Sequence, residues 1–107
     1  MIVYEAERIG GRCACYVVDG DKVRPLPGYY RECNHSPDGF NWGYGGSGPA
    51  QLAYALLRHA TNDQKEAWRF HQKLKWRLVS PQVEDRWQIT RADLLEMLEN
   101  IKHSDAA

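Results

Sequence analysis

Asn41 to Leu57 reads NWGYGGSGPAQLAYALL. Gly43, Gly45, Gly46 and Gly48 stand beside Trp42, Tyr44 and Ser47, just ahead of an apolar run. As a string, Gly43-x-Gly45-x-x-Gly48 matches the dinucleotide-binding pattern. That chemistry needs a parallel strand–helix–strand unit with an acidic residue closing the second strand. Here a second helix follows, and Asp63 reads as its cap. A P-loop would place Lys-Ser/Thr after the last glycine, where Pro49 and Ala50 stand. What remains is generic: backbone N–H groups at a helix start, flanked by glycines, favour an anion. The competing reading, which is favoured, is that the glycines permit positive φ and close packing beneath Trp42 and Tyr44. At least one of Gly43, Gly45 and Gly46 is then expected at positive φ, with Trp42 or Tyr44 on the first turn of the following helix.

Cys13-x-Cys15 and Cys33-x-His35 supply four residues of types that bind zinc. Residues two apart in a strand point the same way, but zinc knuckles use C-x₂₋₄-C, where the turn shapes the tetrahedron. The spacing therefore predicts no bound metal, with Cys13 and Cys15 as small core residues. Asp38 with His35 is a candidate carboxylate–histidine pair, and it reads as turn chemistry. No cofactor is expected.

A third set lies further on. Lys65, Arg69, Lys73 and Arg77 fall four residues apart, and Trp68, Gln72 and Trp76 form an adjacent row. From Arg58 to Leu78 six basic residues, Lys75 among them, stand against Asp63 and Glu66. Cations beside flat aromatics suit phosphate contact and base stacking. They also suit an acidic protein surface, where Trp and Arg are favoured anchors. The third reading is a solvated helix face. Asp93, Glu96 and Glu99 on a later helix are placed to neutralise the stripe.

The elements that must position these residues follow from pattern. Ile2 to Ile9 and Arg12 to Val18 alternate as strands, the second with Cys13, Cys15 and Val17 on one face. Asp19-Gly20 is a hairpin signal. Pro25 and Pro27 confine the Val23–Leu26 strand to an edge. Ser36-Pro37-Asp38-Gly39 is a turn. Pro49 reads as the first helical residue, with Gln51 as the capping-box partner. From Ala50 to Ala60 only Gln51, Arg58 and His59 are strongly polar, so that helix is buried on most sides. Asp63 and Thr90 cap two further helices, the first running to about Leu78 with Ala67, Phe70, Leu74 and Leu78 inward, the second with Leu94, Leu98 and Ile101 inward. Arg86 to Thr90 is a short strand that joins the sheet or its edge. The fold class is α+β: a small antiparallel sheet packed against a buried helix, with two amphipathic helices outside.

At 107 residues the chain is one domain, residues 1–107. Fourteen basic residues balance fourteen acidic ones, so no global field draws it to nucleic acid or an anionic membrane. No apolar run has the length of a membrane span. MIVYEAERIGG lacks the basic and apolar regions of a signal peptide, which predicts a cytoplasmic chain whose three cysteines remain thiols.

SPDGFNWGYGGSGPAQLAYALL, Ser36 to Leu57, resembles the signature of an uncharacterised small-protein family that recurs in phages, plasmids and other mobile elements. The family pattern has an aliphatic residue where Tyr54 stands. The resemblance implies a compact accessory protein and carries no activity with it. The expected function is a non-enzymatic binding protein acting on a host protein ahead of nucleic acid, through Lys65, Arg69, Lys73, Arg77, Trp68 and Trp76. The alternative is a small enzyme or anion-binding protein built on Trp42 to Gly48. The sequence sets no oligomeric state.

Overall fold

A computed structural model of the chain describes residues 1–106. Strand β1 (Ile2–Ile9) turns through Gly10-Gly11 into β2 (Arg12–Asp19). Both turn glycines have positive φ, 58° and 79°, which a two-residue hairpin turn of this hand requires. β3 (Lys22–Pro25) lies at one edge, as Pro25 demands. β4 (Arg86–Thr90) returns from far along the chain to the other edge, giving the order β3-β2-β1-β4, with every pairing antiparallel.

Register sets the faces. Tyr4 lies opposite Val17 and Ile89, and Ala6 opposite Cys15 and Trp87. These side chains are buried or half-buried on the face that meets the helices. Helix α1 (Ser47–Thr61) crosses behind them with Leu52 through Leu57 fully buried. α2 (Gln64–Leu74) runs on into a π-helical turn, Lys75–Val79. α3 (Arg91–Ala106) closes the core with Leu94, Leu98 and Ile101. The α+β architecture is the expected one.

The helix ends differ from expectation in two places. α1 begins at Ser47, not Pro49, with Gly46 as an N-cap that has no side chain to offer. Pro49 is still inside the first turn, where its missing N–H breaks no helical bond. The second helix does not run as α to Leu78. At Lys75 the turn widens, and Ser80 N–H donates to the Lys75 carbonyl at 2.8 Å. Leu74, Lys75, Leu78 and Val79 are all buried along this segment. The other two caps form as read. The Asp63 carboxylate accepts from Lys65 and Glu66 N–H, and Thr90 Oγ1 accepts from Asp93 N–H at 3.0 Å.

The three strongly polar residues between Ala50 and Ala60 all have partners. Arg58 Nε donates to Glu32 at 2.8 Å, and His59 Nδ1 meets the Tyr4 hydroxyl at 2.8 Å. Gln51 has the largest part. Its Oε1 accepts from His35 and Ser36 N–H at 2.7 and 3.1 Å, and its Nε2 donates to the Gly28 and Cys33 carbonyls at 2.8 and 2.7 Å. It is not a capping residue. It is a fully buried clamp that holds the connection between β3 and α1.

Candidate functional site

The glycine loop closes on the protein itself. Gly43 has φ of 90°, and its N–H donates to the Val79 carbonyl at 3.2 Å. A Cβ there would stand 2.9 Å from the Gln82 carbonyl oxygen. A Cβ on Gly45 would run into the Trp76 ring, and one on Gly46 into the Tyr44 ring. Buried Lys75 sends Nζ to the Gly45 carbonyl at 3.2 Å. The Tyr44 hydroxyl reaches the first turn of α1 beside Gly48, and Ser47 is exposed. Trp42 is buried, with Nε1 donating to the Glu84 carbonyl at 2.9 Å and its ring edge-on to Trp87. The Arg8 guanidinium lies 4.7 Å over the Trp42 ring, and its Nη2 donates to Asn41 Oδ1 and the Trp42 carbonyl. Both loop expectations hold: Gly43 has positive φ, and Tyr44 packs on the first turn.

The outer face of α2 carries the second set. Lys65, Arg69, Lys73 and Arg77 are exposed. Trp68 and Trp76 are 57% and 61% exposed, large values for indoles. Each is nonetheless held on one side. Trp76 covers the Gly45 backbone, with Lys75 Nζ 4.6 Å from its ring. Trp68 lies nearly parallel to the His35 imidazole, at 6° between planes. One ion pair between α2 and α3 runs the other way from the stripe, with Glu66 of α2 paired to Lys102 of α3.

The cysteines and histidines do not assemble as the two sequence pairs suggested. Cys13 and Cys33 do not converge. Half-buried Cys13 contacts Arg8 and Asn41 at the sheet end. Cys15 is core, and burial pushes its thiol up to about 12. Cys33 and His35 instead meet His71, from the middle of α2. Their ligand atoms all lie within 4.8 Å of one another, and the two histidine Nε2 atoms are 2.9 Å apart. His71 is buried, its Nδ1 is 2.7 Å from the Trp68 carbonyl, and burial lowers its pKa. Tyr54 stands edge-on to the His71 ring, and its hydroxyl donates to Glu32 at 2.8 Å. The His35 ring takes His71 as its partner, which the reading of His35 and Asp38 as turn chemistry did not anticipate.

Residues 4–100 match a family of unknown function. The chain belongs to the DUF6166 family. No curated protein and no solved structure matches it. The DUF6166 match takes in the glycine loop, the aromatic face of α2 and the Cys33–His35–His71 cluster alike.

Sequence reading missed His71, Arg8 and the roles of Lys75 and Gln51. His71 lies 36 residues beyond His35, so no spacing rule links them. The available signal was a histidine one residue after Phe70 on an otherwise legible apolar stripe. The loop geometry carries a direct expectation. Gly43→Ala forces a side chain into positive φ against a backbone oxygen, and should cost about 1–3 kcal/mol. Chemical denaturation checks this. An unchanged midpoint would mean that the loop backbone relaxes freely.

Proposed function

We propose that this DUF6166 chain is a small cytoplasmic binding protein of mobile-element type, and that it acts on a host protein through the outer face of α2 and the π-helical turn. The observation that carries the proposal is the pair of indoles. Trp68 and Trp76 are more than half exposed, yet each is backed on its inner side, Trp68 by the His71 and His35 rings and Trp76 by Gly45 and Lys75. A monomer gains little from leaving such rings in water. A partner gains rigid anchors that lose little entropy on binding. Exposed Lys65, Arg69, Lys73 and Arg77 around them favour an acidic partner surface.

Much of the glycine loop is taken up by packing within the chain. Gly43 N–H and the Gly45 carbonyl are engaged by Val79 and Lys75, and the rings of Trp76 and Tyr44 cover Gly45 and Gly46. Protein is favoured over nucleic acid because the chain has no net positive charge to concentrate it on a polyanion.

The test is capture from host lysate with and without nuclease, followed by affinity measurement on the isolated pair. Capture should survive nuclease. Trp76→Ala should weaken the pair by about 30-fold or more, the scale of an interface hot spot. Reversing Arg69 and Lys73 together should have a smaller, salt-dependent effect. Tight binding to generic DNA or RNA that collapses as salt rises would overturn the protein reading.

A further inference from the structure

We propose that Cys33, His35 and His71 form a binding site for a single zinc-class divalent ion, with one thiolate and two imidazole donors from the chain and water completing the shell. This departs from the sequence expectation of no metal, because one of the three donors comes from α2 and not from either cysteine motif.

The donor chemistry fits. A carbonyl oxygen can only accept, so the His71 Nδ1 that faces the Trp68 carbonyl at 2.7 Å carries the proton. His71 Nε2 is then a lone pair, aimed at His35 Nε2. This is the arrangement by which a backbone carbonyl fixes the tautomer of a metal-binding histidine. The geometry is close. Zinc holds imidazole nitrogen at 2.0–2.1 Å and thiolate sulfur at 2.3 Å, which at a tetrahedral angle separates two nitrogens by roughly 3.3 Å and nitrogen from sulfur by roughly 3.6 Å. The nitrogens stand at 2.9 Å, and all three donor atoms lie within 4.8 Å of one another. Shifts of several tenths of an ångström to about one ångström reach the bound geometry.

The backbone that carries two of the donors is already held. Gln51 bonds the Cys33 carbonyl and the N–H groups of His35 and Ser36, and Cys33 N–H donates to the Tyr29 carbonyl at 3.0 Å. A site whose ligands are ordered before the ion arrives loses less entropy on binding. Binding is also balanced in protons. The ion displaces the Cys33 thiol proton to solvent, while the proton on His35 Nε2 moves to its Nδ1 through water. Three protein donors leave one position for water, the pattern of an open site and not of a closed structural one.

The experiment uses the full chain, stripped with chelator, kept reduced without thiols, and titrated with Co²⁺. One ion per chain should bind, with tetrahedral ligand-field absorption and a sulfur-to-cobalt charge-transfer band in the near ultraviolet. Zn²⁺ should displace it. Cys33→Ser should abolish the charge-transfer band, and His35→Gln, at a half-buried position, should weaken Co²⁺ at least about tenfold. Cys13→Ser should change neither. Circular dichroism of each variant separates loss of ligand from loss of fold, and His35→Gln serves if Cys33→Ser unfolds. Failure of the intact chain to bind Co²⁺, a band that survives Cys33→Ser but vanishes in Cys13→Ser, or unchanged affinity in His35→Gln would overturn the site.

Discussion

Gln51→Leu should destabilise the domain by about 3 kcal/mol or more, a large part of the 5–15 kcal/mol that holds a domain of this size together. The two side chains have similar volume, so packing changes little. Hydrogen bonding changes completely. Gln51 fills two donor and two acceptor positions with four backbone groups, the carbonyls of Gly28 and Cys33 and the N–H groups of His35 and Ser36. A leucine strips all four partners at a fully buried position. Each stranded buried group costs about 1–3 kcal/mol, and water reaching the loop edge relieves part of the sum. For a chain of this length the midpoint of thermal unfolding should fall by roughly 12 °C or more. Gln72→Leu, at an exposed position on α2, is the control and should stay within about 0.5 kcal/mol of the natural chain. Equal effects from the two substitutions would show that Gln51 is not a clamp.

This residue also marks where the sequence was legible and where it was not. Helical periodicity and the apolar run made α1 readable as a buried helix, and its polar exceptions were noticed as Gln51, Arg58 and His59. Periodicity does not name the partners of a buried polar side chain. Those partners, Glu32, Tyr4 and the turn around Cys33, come from segments with no regular spacing to α1. The strands were legible because alternation and turn glycines are local, and Pro25 correctly placed β3 at an edge. The start of α1 was misjudged because proline is tolerated throughout a first turn. The π-helical turn left no mark on the pattern, since Leu74 and Leu78 keep helical spacing through it. Of the candidate sites, the exposed face of α2 was readable from spacing alone. The Cys33–His35–His71 cluster was not, because tertiary packing and not sequence separation brings His71 to the loop.

Trp42→Ala should be the most damaging single change in the glycine stretch, costing about 4 kcal/mol or more and leaving little folded protein at physiological temperature. Deleting a fully buried indole removes its transfer energy and leaves a cavity the surroundings fill only in part, typically 3–5 kcal/mol. Here further losses follow. The Glu84 carbonyl loses its donor, the Trp87 ring loses its edge-on neighbour, and the Arg8 guanidinium loses the ring it covers. These groups tie β1, β4 and the loop together, so the damage should spread to the β4 edge. Trp42→Phe separates the contributions. It keeps a ring against Trp87 and Arg8 but has no N–H for Glu84, and should cost about 1–3 kcal/mol for the orphaned acceptor and the lost volume. Thermal unfolding of both variants distinguishes a packing loop from a ligand loop. If Trp42 served chiefly to contact a small molecule, Trp42→Ala would unfold near the natural midpoint. A steep loss in Trp42→Ala with an intermediate loss in Trp42→Phe is what a residue that binds the loop to the sheet must give.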